Sequence, residues 1–156
     1  MPSIWFSEYT LDDIQKFKVD TMVDHIGILF TEIGNDYLKG TMPVDKRTVQ
    51  TMGILHGGAS VVLAETLGSI AANLSVDPAK FACVGLDINA NHIRSAKGGI
   101  VTGTAKPIHR GGSTQVWSIE IVDENNRLVC ISRLTMAVLK LEKENMANPF
   151  TRVKNK

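Results

Sequence analysis

One carboxylate stands in a stretch dominated by apolar residues. Glu65 follows Leu63 and Ala64 and precedes Leu67, and no Lys or Arg occurs between Gln50 and Lys80. A Glu without a nearby cation is costly to bury, because desolvation disfavours its charged form. Glu65 therefore faces a cavity or pairs at long range. In either place it is suited to attack a carbonyl carbon or to deprotonate water. Directly after His56 come Gly57 and Gly58. If a helix starts there, its first-turn N–H groups lack partners within the helix and are open to an incoming oxygen that develops negative charge. Ser69 stands one turn after Glu65 on the same face, close enough to hydrogen-bond or to hold a water. Residue types alone fit a structural Glu hydrogen-bonded in a subunit interface as well as a catalytic one, and they fit a glycine pair that merely permits close helix packing better than an oxyanion site.

Spacing limits how these groups cooperate. Glu65 lies eight residues after Gly57, or roughly 12 Å along a helix axis at about 1.5 Å per residue. One carbonyl group cannot bridge that distance. If both groups act on the same carbonyl they come from different subunits, with their helices antiparallel across a two-fold axis. The spacing thus predicts an obligate homodimer with two sites at the interface.

Several elements must hold these groups in place. Leu11, Ile14 and Phe17 share one side of a short helical pattern, and His25 to Ile33 and Tyr37 to Val44 read as two strands joined by a turn at Gly34, Asn35 and Asp36. Between Leu55 and Leu74 the apolar residues surround the helix axis, which predicts a buried helix. Four extended stretches follow, at Ala82 to Arg94, Gly99 to Pro107, Thr114 to Asp123 and Arg127 to Leu139. In the third, Trp117, Ile119 and Ile121 alternate with Ser118 and Glu120, and Asp123 to Asn126 supply the next turn. One long apolar helix followed by hairpin-linked strands implies an α+β fold, an antiparallel sheet curled around a buried helix. Residues 1–140 read as one domain and 141–156 as a polar, peripheral tail.

Composition narrows the function. With 156 residues there is room for a single core, and 17 basic against 16 acidic residues lack the bias of a phosphate-backbone binder, so no nucleic-acid partner is expected. Cys83 and Cys130 form no CxxC pair, which signals neither a disulfide framework nor a metal site and fits a reducing, cytoplasmic setting. No run of about 18 apolar residues occurs, and the N-terminus lacks a basic leader, so no membrane partner is expected.

The string Gln50-Thr51-Met52-Gly53-Ile54-Leu55-His56-Gly57-Gly58-Ala59-Ser60, continued by Ala64-Glu65-Thr66-Leu67-Gly68-Ser69, resembles the PaaI-like hot-dog thioesterases, and the similarity runs from about Leu11 to Leu139. Within that group the chain is similar to the 1,4-dihydroxy-2-naphthoyl-CoA thioesterases and the enterobactin proofreading thioesterases. The resemblance implies a hot-dog fold, dimers paired into tetramers, and hydrolysis of an aromatic or related acyl-CoA without metal or cofactor. It implies Glu65 as nucleophile or general base and the Gly57 N–H as donor to the thioester oxygen. Gln50 and His56 would orient the thioester and the attacking water, with Ser69 and Thr66 assisting around Glu65. His56 reads also as a structural helix cap.

Coenzyme A needs donors for its phosphates. His92 and Arg94 share the parity of Val84, Leu86 and Ile88, so one strand face is expected to pass from apolar core to basic rim. The resemblance puts Asn91 to Ser95, including His92, Arg94 and Ser95, along the coenzyme A channel. An ordinary solvated strand end is the plainer reading. His109, Arg110, Gly111, Gly112 and Ser113 form a glycine-containing turn whose N–H groups and guanidinium suit a pyrophosphate or ribose phosphate, although such a turn also serves any hairpin. Where relatives often read Gln-Pro-Phe, this chain has Gln50-Thr51-Met52, which alters the acyl pocket. Two alternatives remain beside hydrolysis: a non-catalytic acyl-CoA-binding protein, and an acyl-thioester hydratase or dehydratase, for which no His and Asp pair accompanies Glu65.

Overall fold

The computed structural model describes residues 2–141 and Phe150. Two short helices, α1 (Leu11–Gln15) and α2 (Met22–His25), flank a 3-10 turn at Lys16–Lys18. Thr10 starts α1 with a reciprocal capping box: its hydroxyl accepts from the Asp13 N–H, and the Asp13 carboxylate accepts from the Thr10 N–H. The expected strand from His25 begins only at Leu29. Residues 22–25 coil into α2 instead, Gly27 turns the chain at φ 77°, and the Ile28 N–H bonds the Val23 carbonyl. Of the C-terminal tail, Leu141 is described, its N–H bonded to the Lys80 carbonyl, and Phe150, with its ring 4.3 Å from that of Phe17; the rest of the tail lies outside the described residues.

Among the described residues six strands form one antiparallel sheet: β1 (Leu29–Ile33), β2 (Leu38–Pro43), β3 (Phe81–His92), β4 (Ile100–Arg110), β5 (Thr114–Val122) and β6 (Leu128–Lys140). Their order is β1-β2-β4-β5-β6-β3. The alternation expected in β5 is present, with Trp117, Ile119 and Ile121 fully buried. Asn126, at φ 58°, completes the turn into β6, and the Asp123 carboxylate accepts from the N–H groups of Asn125 and Arg127.

The strands after the helix are not all joined by hairpins as expected. β3 pairs with β6, and residues 93–99 carry the chain past the helix N-terminus before β4 pairs with β2. That crossing is held by hydrogen bonds: the N–H groups of Ile93 and Arg94 bond the Val129 carbonyl, and the Leu55 N–H bonds the Ala96 carbonyl. Pairing β3 with β6 leaves an edge of β4 for β2, a partner that a β3–β4 hairpin would deny to β2.

The long helix α3 (Gly57–Leu74) packs Leu63, Ala64, Leu67, Ala71 and Leu74 into the concave face of the sheet. Its burial is less complete than its sequence suggests. Gly58 and Glu65 are exposed, and Val61, Val62, Thr66 and Ser69 are only half-buried. These residues form one stripe at helical spacing. A single curved sheet covers only one flank of a helix, so the other flank is left to solvent within one chain.

The C-terminal half of α3 is fixed by polar contacts. The Asn73 side chain donates to the Cys83 carbonyl and accepts from the Cys83 N–H, both at 2.9 Å, as a neighbouring strand would. Gln115 reaches Ser75 Oγ at 3.1 Å and accepts from the Trp117 indole at 2.9 Å.

Candidate active site

The N-terminus of α3 is built by His56. Its backbone is extended, and its Nδ1 accepts from the Gly58 N–H at 2.8 Å. Its carbonyl accepts from the N–H groups of Ala59, at 2.9 Å, and Ser60, at 3.2 Å. Of the N–H groups from Gly57 to Ser60, only that of Gly57 has no partner among the described residues. The sequence left the whole first turn open; the structure leaves one donor. With Nδ1 engaged as acceptor, a neutral His56 ring carries its proton on Nε2, which stays available as a donor.

Gln50 opens a tight turn that precedes the helix. The Gln50 N–H bonds the Ile54 carbonyl and the Gly53 N–H bonds the Gln50 carbonyl, each at 2.8 Å, with Gly53 at φ 73°. The Gln50 Oε1 accepts from the Met52 N–H, so the amide nitrogen is the unengaged end of the carboxamide. Met52, at the tip of this turn, is 80% exposed.

The parity argument for β3 fails in one half of the strand and holds in the other. Between Gly85 and Asp87 the pairing with β6 shifts by one residue, and Leu86 is the bulged one. Before the bulge Cys83 and Gly85 face the helix; after it Ile88 and Ala90 do, packed against the core. Val84 and Leu86 are therefore exposed and not part of the apolar face that Ile88 continues. His92 is on the helix-facing side. A methyl group added at Gly57 would lie 2.7 Å from His92 Nε2, so the ring, which comes this close to the free amide, would have to shift. At the other end of the contact, Glu65 Oε1 lies 3.0 Å from where a Cβ on Gly85 would be.

A cavity of about 330 Å³ brings together Gln50, Gly57, Ser60, His92, Arg94 and Ser95, with Ile54, Leu55, Ile93 and Val129 as apolar wall. Arg94 lies just beyond β3, exposed at the mouth, with Nη1 donating to the Leu128 carbonyl at 3.0 Å. Ser60 was not singled out from sequence, although it stands one turn after Gly57, where helical spacing could have revealed it.

The remaining expected residues are elsewhere within one chain. Glu65, Thr66 and Ser69 lie on the uncovered stripe of α3. Ser69 Oγ is directed to Met136 Sδ at 3.8 Å and not to Glu65, which forms no hydrogen bond or ion pair among the described residues. His109 and Arg110 belong to β4, and Gly111 to Ser113 form the β4–β5 turn. Arg110 donates to the Ser75 carbonyl at 3.2 Å, which puts this hairpin at the C-terminal end of α3, opposite the cavity.

Residues 52–130 match the Thioesterase superfamily. Over 136 residues, 87% of this chain and 99% of the relative, the sequence is 52% identical to the 1,4-dihydroxy-2-naphthoyl-CoA hydrolase of Escherichia coli. The chain belongs to the thioesterase superfamily. This thioesterase is also 47% identical to the proofreading thioesterase EntH of Cronobacter sakazakii, over 87% of its own length and 98% of that relative. Its fold superposes on a thioesterase of Haemophilus influenzae with a TM-score of 0.87 at 45% identity, covering 91% of this chain and 99% of that one. A mutant thioesterase of Pseudomonas aeruginosa gives 0.88 at 45% identity, covering 89% and 100%. The fold is the hot-dog fold, and the reaction is thioester hydrolysis.

Proposed function

We propose that this thioesterase hydrolyses an acyl-CoA, with an aromatic or similar acyl group, to the free acid and coenzyme A at sites shared between two subunits. The unpartnered Gly57 N–H carries this reading. It is a single donor at the positive end of an 18-residue helix, opening into a cavity, where an oxyanion would form. The acyl class rests on the hydrolase and the proofreading thioesterase to which the chain is similar.

Among the described residues of one chain no group lining the cavity is a carboxylate, while Glu65 stands exposed and without a partner farther along α3. A two-fold axis near Val61 brings Glu65 of one subunit opposite Gly57 of the other. Strand β3 is compatible with the same axis. Gly85 lies against Glu65 and His92 against Gly57, so the midpoint falls between Ile88 and Asn89. Among the described residues β3 pairs only with β6, which leaves its outer edge available for an antiparallel copy of itself, beside the exposed Val84 and Leu86. The same rotation carries the His109–Ser113 hairpin toward the cavity of the other subunit, where Arg110 and Arg94 would flank the coenzyme phosphates.

In this site the ionised Glu65 attacks the thioester carbon, or takes a proton from water that does. Gly57 stabilises the oxygen, and the C–S bond breaks to release the thiol. Water supplies the hydroxyl of the acid and the proton of the thiol. His56 Nε2–H and the Gln50 amide nitrogen orient the reacting groups.

The test is complementation. Glu65→Ala is expected to lower the rate of thiol release from benzoyl-CoA by about 10²–10⁴-fold. Mixing it with inactive Gln50→Ala should restore up to about a quarter of wild-type activity, since half the chains pair as hybrids with one intact site each. No recovery despite demonstrated subunit exchange would overturn the shared site.

A further inference from the structure

Away from the catalytic cavity the structure holds a second one of about 520 Å³, along the segment that leads into α1. Trp5, Phe6, Glu8 and Tyr9 line it from that segment, with Ile33 of β1 and Asn35 of the β1–β2 turn. It shares no lining residue with the cavity beside Gly57. The Phe6 N–H bonds the Leu74 carbonyl at 2.9 Å, which puts this cavity at the C-terminal end of α3, opposite the oxyanion donor. Its wall is fixed to the fold. The Ile4 N–H bonds the Asn35 carbonyl at 2.9 Å, and the Trp5 indole N–H donates to the Gly34 carbonyl at 2.6 Å. One face of the Trp5 ring lies parallel to Trp117, with 6.5 Å between centroids, which leaves its other face for the cavity. Tyr9 is buried and its hydroxyl is sealed from solvent, so it presents its ring. Aromatic faces carry negative potential and attract cations.

The charges around the cavity have the same sign as those faces. From Met1 to Gln15 the sequence has Glu8, Asp12 and Asp13 and no Lys or Arg. Asp13 is engaged by Thr10 and Lys16, whereas Glu8 forms no ion pair among the described residues. No cationic side chain lines the cavity. The last turn of α3 holds no basic residue, and the helix dipole is negative at that end. Cations described near it are engaged, Arg110 with the Ser75 carbonyl at 3.2 Å and Lys80 with Asp77 at 3.4 Å. A single carboxylate does not supply the oxygen set that a metal ion takes. A neutral apolar guest would leave Glu8 without a counter-charge. Three rings and one carboxylate match an organic ammonium ion, whose methyl or methylene groups rest on the rings while its charge meets Glu8. We infer that this cavity is a second binding site, for a small organic ammonium ion of the choline or alkylamine kind, held by Trp5, Phe6 and Tyr9 with Glu8 as counter-charge. It is separate from the catalytic cavity and does not depend on the proposed hydrolysis.

Choline and its uncharged isostere 3,3-dimethylbutan-1-ol test this at constant ionic strength, by NMR on the indole N–H resonances of the two tryptophans. Choline is expected to shift the Trp5 signal saturably and to bind about three- to thirtyfold more tightly than the alcohol. Glu8→Gln should weaken choline about two- to fivefold and leave the alcohol unchanged. Phe6→Leu keeps bulk but removes a ring, and should narrow the preference for choline by about threefold. Both side chains are exposed, and a thermal midpoint close to that of wild type shows that each variant is folded. Equal affinity for choline and the alcohol would overturn the inference, leaving an apolar cleft. So would the absence of a saturable Trp5 shift with either compound, or a loss in Glu8→Gln that falls on both. Phosphocholine distinguishes a free ammonium ion from a lipid headgroup. Its phosphate should weaken binding beside Glu8, and tighter binding of phosphocholine than of choline would overturn the assignment to a free ion.

Discussion

The two ends of α3 differ in how completely their hydrogen bonds are used. At the C-terminal end, Asn73, Ser75, Gln115 and Arg110 tie the helix to β3, β4 and β5. At the N-terminal end, the Gly57 N–H opens into a cavity without a partner among the described residues. Buried polar groups in folded proteins are almost always satisfied. The satisfied end anchors the helix in the sheet; the unsatisfied end is where a substrate completes the set. A rigid anchor also fixes where the free amide points, which is what preorganised stabilisation of an oxyanion requires.

Substitutions can break this contrast. Gly57→Ala puts a methyl group 2.7 Å from His92 Nε2. It should displace the imidazole or the amide and lower kcat by about 10²–10³-fold, with little change in thermal stability. Pairing it with His92→Ala removes the collision. Steady-state kinetics should then show Gly57→Ala costing far less in the His92→Ala background than in wild type; additive losses would mean that the methyl group acts by another route.

Asn73→Ala attacks the opposite end. It strips partners from the N–H and carbonyl of Cys83, and denaturant unfolding should show a loss of about 2–4 kcal/mol. The kcat of the remaining folded enzyme should stay within about twofold of wild type. A collapse of kcat with intact stability would show that the two ends are not separable.

The smallest effect concerns Cys83, beside Asn73 at the anchored end. Burial pushes its thiol from 9.0 up to about 11. The folded state holds this proton longer than the unfolded chain does. Its contribution is therefore whole below pH 9 and is lost as pH rises through about 11, by up to roughly 2–3 kcal/mol. Unfolding free energies measured from pH 8 to 11 should decline over that window in wild type and decline less in Cys83→Ala. A slope that Cys83→Ala leaves intact would assign it to other groups.

Much of the scaffold was legible because it depends on local periodicity. The alternation of Trp117, Ile119 and Ile121 located β5, and the glycine pair after His56 located the start of α3. What misled was non-local. The bulge at Leu86 switches which residues of β3 face the helix, and no pattern of residue types announced it. The pairing of β3 with β6, not β4, depends on a crossing loop held by hydrogen bonds to Val129 and Leu55. That the His92 ring lies against Gly57 is visible only in the folded strand.

By itself, then, the sequence determined the helix, the unpaired carboxylate on it, and the spacing that keeps Glu65 from the Gly57 amide in one chain. These follow from covalent order and a fixed rise per residue. Tertiary structure decided which first-turn amide stays free, which flank of α3 the sheet leaves uncovered, and that Gln50, Ser60 and His92 converge on one cavity. Such facts depend on contacts between distant segments, and satisfaction of a donor is a property of the whole fold, not of the residue that carries it.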